Sequence, residues 1–383
     1  MSHSTERAAQ REMRLAGGPG GEPTIVSIIG VVLFPFLDTR EACSFRLVCR
    51  ELKQAVADFP WEDMGTVIRG RIAMWRACFP RIRGANISGR RTVVDGDFVH
   101  FVGLRALNMS RCWQVTDAAF VHLRGIERLN MRGCNQAAIT DAAFVHLRGI
   151  QELDMSGCTQ ATITDAAFVH LRGIERLKMS RCNQANITDA AFVHLRGIQE
   201  LDMSDCNQVT ITDAAFEHLR GIPELDMSWC RQATITDAAF AHLVGIQRLC
   251  VGGCTQATIT DAAFVHLKGI KVLNVSSCPQ FTDAAFEHLK GIHTLLMWEC
   301  NQATITDAAF EHLKGIHSLV MPWCNQATIT GAGLMHLEGI SRLGMHGCTD
   351  EAIAAAESLG LPVARRGYTR YGPFDTSFVE RLF

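Results

Sequence analysis

The apolar and polar positions of this chain repeat over most of its length, in units of 24 or 22 residues that each end in a cysteine. Within one unit, Phe168 and Leu171 lie three positions apart and therefore share one face of a short helix. Leu177 and Met179 follow and alternate with polar residues, as in a strand whose apolar side faces inward. Each unit thus predicts one short helix and one short strand. The closing cysteines stand at positions 112, 134, 158, 182, 206, 230, 254, 278, 300, 324 and 348.

The ends of each predicted helix carry their own signals. Thr164 or Asp165 supplies the side-chain oxygen of an N-cap, and an acid also suits the positive end of the helix dipole. Arg172 falls in the last turn of the helix, and Gly173 can adopt the left-handed backbone conformation that ends it. Stacking one unit on the next predicts an α/β solenoid, a horseshoe with parallel strands on its concave face.

The array has distinct flanks. We expect about 11 repeats over residues 93–348, a C-terminal cap over 349–363 and a tail over 364–383. Residues 1–22 are charged and rich in glycine, which predicts disorder. Residues 23–65 predict a small all-α module in which Pro35 breaks the first apolar run, and residues 66–92 predict a linker. The second apolar run of the module has the spacing of one helical face, with Phe45, Val48, Cys49, Leu52 and Val56.

Composition excludes several classes of function. The 37 Lys and Arg residues nearly balance 39 Asp and Glu residues, so no overall electrostatic field favours binding to nucleic acid or to a membrane surface. Fifteen cysteines at mostly one per repeat suit a reducing compartment better than a disulfide framework. The apolar run from Thr24 to Leu37 is shorter than the roughly 18 residues that span a bilayer. We therefore expect a soluble protein of the cytoplasm or nucleus.

No arrangement of side chains predicts catalysis, a metal site or a cofactor. The cysteines form no C-x-x-C cluster, so a structural role is favoured over metal binding. One histidine per repeat faces outward, and we interpret these residues as copies of one surface position, with a pH-sensitive array as the alternative. The segment T-D-A-A-F recurs nine times, which identifies its polar residues as helix caps. We expect no enzymatic activity.

Two features together resemble the F-box/leucine-rich-repeat proteins. Residues 174–182, which read I-x-x-L-x-M-x-x-C, are similar to the cysteine-containing subclass of leucine-rich repeats. The segments Phe36-Leu37-Asp38 and Phe45-Arg46-Leu47-Val48-Cys49-Arg50, followed by Trp61, look like an F-box. The resemblance implies binding to a Skp1-like adaptor, and through it to a cullin, while the repeats hold a protein substrate of a ubiquitin ligase. The implied adaptor contacts are Leu37, Leu47, Val48, Cys49 and Trp61.

The outward strand positions differ between repeats. Arg128, Glu152 and Arg176 alternate in sign and predict ion pairs between neighbouring strands. From about residue 270 these positions become apolar and aromatic, which is typical of a binding hot spot. Packing near the cap is the alternative explanation, and a binding scaffold without Skp1 is the alternative function. The predicted substrate-binding residues are Val272, Leu296, Trp298, Val320 and Trp323.

Overall fold

The computed structural model describes residues 25–364. The predicted disorder of residues 1–22 and the predicted tail beyond Ala364 lie outside the described residues. The chain divides between Ile198 and Gln199 into two compact units, which are described separately below.

The first unit begins with helices and continues as an array. Its N-terminal part contains α1 (Ile25–Val32), a 3-10 turn (Phe34–Phe36), α2 (Thr39–Phe45), α3 (Arg50–Asp58), β1 (Glu62–Val67), α4 (Ile72–Cys78) and β2 (Gly84–Asn86). The strands of its repeats are β3 (Ala106–Asn108), β4 (Arg128–Asn130), β5 (Glu152–Asp154) and β6 (Arg176–Lys178). Its short helices are α5 (Asp117–Phe120), α6 (Asp141–Phe144), α7 (Asp165–Phe168) and α8 (Asp189–Phe192), with 3-10 turns at Asp95–Phe101, Val121–Leu123, Val145–Leu147, Val169–Leu171 and Val193–Leu195.

The second unit consists of repeats and a terminal cap. Its strands are β7 (Glu200–Asp202), β8 (Glu224–Asp226), β9 (Arg248–Cys250), β10 (Val272–Asn274), β11 (Thr294–Leu296), β12 (Ser318–Val320), β13 (Arg342–Gly344) and β14 (Val363–Ala364). Its helices are α9 (Asp213–Phe216), α10 (Asp237–Phe240), α11 (Asp283–Phe286), α12 (Asp307–Glu311), α13 (Gly331–Leu334) and α14 (Asp350–Ser358). Further 3-10 turns span Glu217–Leu219, Asp261–Leu267 and Met335–Leu337.

All strands pair in parallel and in register within each unit, apart from an irregularity between β1 and β2. Leu129 of β4 lies beside Leu153 of β5, which lies beside Leu177 of β6. These leucines are at most 3 % exposed, because alternate residues of a strand point to opposite faces and this face is the core. The predicted leucine-rich-repeat solenoid is therefore confirmed. We call the opposite side of the strands the strand face.

The array begins before the predicted linker ends. Residues 66–92 were expected to connect two domains, but they contain the end of β1, all of α4 and all of β2. The Ile68 N–H donates to the Asn86 carbonyl at 2.8 Å, as the Ile87 N–H does to Asn108. These segments lack the Thr-Asp signal of the other repeats, so sequence periodicity does not reveal them.

The helical module also differs from its prediction at one place. The apolar face expected to run from Phe45 to Val56 is split, because α2 ends at Phe45 and α3 begins only at Arg50. Cys49 has extended backbone and caps α3, its Sγ accepting a hydrogen bond from the Leu52 N–H at 3.4 Å. Residues 46–49 consequently form a turn between two helices.

A hydrogen-bonded link between threonine and aspartate joins successive repeats. Thr188 caps α8, since its Oγ1 accepts from the Ala190 N–H. The same residue donates twice to Asp165 of the preceding repeat, from its backbone N–H and its hydroxyl, both at 2.7 Å. Threonine is therefore the helix cap, and the aspartate accepts hydrogen bonds from the threonine of the next repeat. Equivalent links occur at 95–116, 117–140, 141–164, 213–236, 237–260, 261–282, 283–306 and 307–330.

The repeated cysteines and histidines also contact the preceding repeat. The Cys134 thiol donates to the Met109 carbonyl at 3.2 Å, and burial raises its pKa to about 11. The Arg148 Nε–H donates to His170 Nδ1 at 3.3 Å. Burial, together with the charge of Arg148, lowers the pKa of His170. The described residues include no group of three or more His, Cys, Asp or Glu side chains that could hold a metal ion. No described helix is long and apolar enough to cross a bilayer.

The threonine–aspartate link predicts a specific loss of stability. Replacing Asp165 with Ala leaves the Thr188 N–H without its acceptor, which we expect to lower the free energy of unfolding by about 1–3 kcal/mol. Asp165→Asn keeps one acceptor oxygen and should cost less. The exposed Glu175 of the same repeat provides the control, since Glu175→Ala should change stability by less than about 0.5 kcal/mol. Urea unfolding followed by circular dichroism measures all three, and equal midpoints for Asp165→Ala and Glu175→Ala would contradict the role of the link.

Candidate protein-binding surfaces

The N-terminal module is organised around one buried indole. Trp61 is only 1 % exposed, and its Nε1–H donates to the Val56 carbonyl at 2.8 Å. Its ring centroid lies 5.2 Å from that of Phe34, 4.7 Å from Phe59 and 6.1 Å from Phe79. The resemblance placed Trp61 among the adaptor contacts. The structure instead places it in the core that joins the helices to the array, so it is not available to a partner.

The turn between α2 and α3 exposes two adjacent aliphatic side chains. Leu47 is 88 % exposed and Val48 is 70 % exposed, and Cys49 beside them is also exposed. Arg46 anchors this turn because its guanidinium donates to the Cys78 carbonyl and lies 5.9 Å from the Phe79 ring centroid. Adjacent large apolar side chains that are exposed on one turn form a candidate interaction surface.

Further apolar side chains are exposed on the same module. Phe36 in the 3-10 turn is 73 % exposed, and Leu37 beside it is half-buried. Aliphatic residues of α1 and its end are also exposed, with Ile28, Val32 and Leu33 each more than a third exposed. Of the five predicted adaptor contacts, four therefore retain surface exposure, and Trp61 does not.

A threonine–aspartate link also fixes the module to the array. The Thr39 N–H and hydroxyl donate to Asp63 Oδ2 at 2.8 and 2.7 Å. Burial favours the protonated acid, but the hydrogen bonds from Thr39 and Thr66 outweigh it and lower the pKa of Asp63. At the start of α2, Asp38 and Glu41 form a capping box. The exposed turn is thus carried by helices with defined ends.

The strand face of the second unit is acidic at its beginning. In β7 and β8, Glu200 lies beside Glu224, and Asp202 lies beside Asp226. Arg248 of β9 forms an ion pair with Glu224 at 3.1 Å. In the first unit the predicted ladder forms between Arg176 and Glu152, whereas Arg128 of β4 pairs at 3.2 Å with Glu62 of β1, three strands away along the sheet.

Farther along the second unit the strand face becomes apolar, as the sequence predicts. Val272, Leu296 and Val320 are only 7, 1 and 0 % exposed, and the half-buried Trp298 packs against them. The expectation that the aliphatic residues form an exposed hot spot is therefore corrected. The alternation of a strand shows which face a side chain occupies, but it does not show whether that face is covered.

Aromatic rings extend this apolar group. The Trp298 and Trp323 ring centroids are 6.0 Å apart in an edge-to-face arrangement, and Trp323 lies 5.6 Å from His346. Trp323 also borders an open cavity of about 480 Å³ that contains the exposed carboxylate of Glu299. An indole beside a carboxylate suits a cationic side chain of a bound peptide. The cavity residues are Thr255, Ser277, Pro279, Glu299, Asn301, Trp323 and Asn325.

Two tryptophans occupy a strained backbone position. Trp229 and Trp323 have φ angles of 62° and 56° at a site where the next repeats have Gly253 and Gly347. A Cβ atom on Gly253 would lie 2.6 Å from the Trp229 ring, and Gly347 has the same relation to Trp323. Each indole therefore covers the glycine that follows it. Sequence reasoning did not identify His346 and Glu299 as neighbours of Trp323. The contact between each tryptophan and the following glycine does have a sequence signal, because tryptophan is replaced by glycine at the same position of the next repeat.

Comparison with known families supports the repeat assignment. The BspA type leucine rich repeat region matches in six copies, over residues 113–247 and 210–331, which together cover more than half of the chain. No curated protein matches the chain in sequence.

Among the solved structures similar to this chain, the first one below supports the fold alone. The chain is similar to one in the Toll–Spatzle complex of Drosophila, with a TM-score of 0.54, 13 % identity, and coverage of 78 % of this chain and 45 % of that one. The TLR13–ssRNA13 complex contains another similar chain, with a TM-score of 0.49, 17 % identity, and coverage of 72 and 48 %. The present chain thus spans less than half the length of these structural relatives.

The pairing of tryptophan with glycine predicts a difference between two glycine substitutions. Gly253→Ala adds a Cβ against the Trp229 ring, whereas Gly245→Ala has a similar positive φ but open space around the new Cβ. We expect Gly245→Ala to cost about 1 kcal/mol of stability from backbone strain. Gly253→Ala should cost roughly 1–3 kcal/mol more because the ring must move. Urea unfolding and near-UV circular dichroism test this, and equal losses would show that the ring contact is unimportant.

Proposed function

This chain belongs to the BspA type leucine-rich repeat family, and we propose that it is a receptor without catalytic activity that connects two other proteins. Its N-terminal helices would bind a Skp1-like adaptor, and through it a cullin. Its repeats would hold the protein substrate of that ubiquitin ligase. The observation that carries the proposal is the exposure of Leu47 and Val48 on an anchored turn.

The adaptor surface is supported by its preorganisation. Arg46 and the cap at Cys49 hold the turn in place without using the Leu47 or Val48 side chain. A partner that buries both side chains gains apolar contact without ordering the backbone first. Burial of two such side chains accounts for about 3–6 kcal/mol of gross hydrophobic transfer free energy. Leu37 and Phe36 offer additional apolar contact.

The substrate surface is supported by the composition of the second unit. Its strand face combines acidic strands with an apolar group and the rings of Trp298 and Trp323. Aromatic anchors surrounded by polar groups are common at the centres of protein interfaces. A receptor of this kind accelerates ubiquitin transfer by holding a substrate lysine close to the loaded enzyme, which requires no catalytic side chain of its own.

A binding scaffold that does not use a Skp1-like adaptor is the second candidate function. One observation favours it. Trp61, together with the link from Thr39 to Asp63, ties the helices to the first strands, so these helices also serve as an N-terminal cap of the array. Terminal repeats of solenoids need such caps to cover the core. The scaffold would retain a protein-binding strand face.

Binding to a purified Skp1-like adaptor separates the two candidates. We expect the double variant Leu47→Asp, Val48→Asp to bind at least about tenfold more weakly than the parent chain, because two charged groups would have to be buried. Val145→Asp, in a 42 %-exposed position of a repeat, is the matched control and should bind normally. The affinity is measured by isothermal titration calorimetry with the full chain. A parent chain that binds no better than the double variant would leave only the scaffold.

The substrate surface is tested by a tryptophan substitution. Trp298→Ala removes the ring that packs on the apolar group, and we expect it to deplete specific partners by about tenfold in a quantitative interaction capture. Trp113→Ala removes a 47 %-exposed tryptophan of the first unit and should leave the partners unchanged. Both variants are first compared with the parent by thermal unfolding. An identical partner profile for Trp298→Ala and the parent would assign substrate binding to another surface.

A further inference from the structure

Part of the strand face of the second unit is covered. Leu296 and Val320 are 1 and 0 % exposed, and Ser318 is 6 % exposed. On the strand face of the first unit, by contrast, the Arg176 and Glu152 side chains are 48 and 37 % exposed, although they pair with each other. A bare strand face leaves large side chains accessible, so burial of this extent requires a covering group.

Within the repeats of this unit, the half-buried Trp298 supplies part of that cover, and the helices do not supply the rest. In β11 and β12, Leu295 and Leu319 point into the core, so Leu296 and Val320 point away from it. The short helices of the repeats pack on the core side of the strands, as the complete burial of Phe310 shows. The described residues from 199 onward all belong to repeats or to the terminal cap that includes α14 and β14.

One polar group on this face indicates that its cover forms hydrogen bonds. The Ser318 hydroxyl is buried and has no hydrogen-bond partner among the described residues. A buried hydroxyl without a partner costs about 1–3 kcal/mol, so such groups are normally satisfied by a bound chain or by water. A polypeptide segment would provide both apolar side chains for Leu296 and a backbone acceptor for Ser318.

Residues 365–383 have the composition that fits this face. The segment carries four arginines against Asp375 and Glu380, and it is therefore net positive. The strands at the beginning of the face carry the four carboxylates of Glu200, Asp202, Glu224 and Asp226. The aromatic residues of the segment are suited to the apolar group around Trp298. The residues concerned are Arg365, Arg366, Arg370 and Arg381, and Tyr368, Tyr371, Phe374, Phe378 and Phe383.

The segment is also long enough and begins in the right place. It follows β14, which pairs in parallel with β13 at the end of the sheet. Nineteen residues in extended conformation reach roughly 60 Å. Neighbouring strands are about 4.8 Å apart, so the path from β14 to β8 across six strand steps is only about 30 Å.

We propose that residues 365–383 bind to the strand face of the second unit, over Leu296, Val320 and Ser318, and act as an internal ligand of that face. Any external protein that uses the same surface then has to displace this segment. This internal contact forms in the isolated chain, whether or not the surface also binds a ubiquitin-ligase substrate.

Thiol alkylation in the full chain tests the proposal. Ser318→Cys places a nearly isosteric thiol under the proposed cover. Iodoacetamide labelling is followed by mass spectrometry. We expect the introduced thiol to react roughly tenfold faster when Tyr368, Tyr371 and Phe374 are replaced together by Ser. Tyr368→Phe with Tyr371→Phe, which keeps both rings, should leave the rate unchanged. A synthetic peptide of residues 365–383 should slow the reaction again in the triple-serine chain.

Two native cysteines serve as internal references. Cys49 is exposed and reports the reagent, while Cys324 is buried in the same repeat and must stay unreactive if the repeat remains folded. The proposal is overturned if the introduced thiol reacts at the same rate with and without the three aromatic residues. It is also overturned if protection disappears on dilution of the parent chain, because the cover would then be a second copy.

Discussion

The stacking of this protein depends on a carboxylate that accepts two hydrogen bonds from the threonine of the next repeat. Since each such threonine also caps its own helix, one link sets both the start of a helix and its distance from the preceding repeat. A related link attaches the N-terminal helices, in which the N–H and the hydroxyl of Thr39 both donate to Oδ2 of Asp63. In a solenoid most contacts join neighbouring repeats, so the strength of each threonine–aspartate link affects the stability of the array.

The threonine–aspartate link leaves other positions of the repeat free to vary. The core leucines, the capping threonines and the thiols that donate to carbonyls are used in packing, and they recur for that reason. The strand face and the residue with positive φ that follows each strand do not take part in the threonine–aspartate link. The second unit uses this freedom to place Trp229 and Trp323 in strained backbone, each over a glycine. Strain of this kind persists only where surrounding contacts compensate for it.

The two candidate surfaces differ in their physical state. Leu47 and Val48 are open to solvent on a turn that is held by Arg46, so a partner can bind them without rearrangement. Leu296 and Val320 are apolar but covered, so a partner must first gain access to them. The proposed adaptor surface is therefore open to solvent, whereas the proposed substrate surface is covered.

The repeat, its helix and strand, and the inward direction of residues such as Leu177 were predictable from the sequence, because these depend on local periodicity and capping. Leu47 and Val48 were predicted as adaptor contacts, and the structure leaves both side chains exposed. That Trp61 is a core residue follows from its contacts in the folded chain, since an aromatic side chain suits a core or an interface equally well. Likewise, alternation placed Val320 on the strand face, but its burial depends on segments distant in sequence. Long-range contacts of this kind leave no periodic signal in the chain.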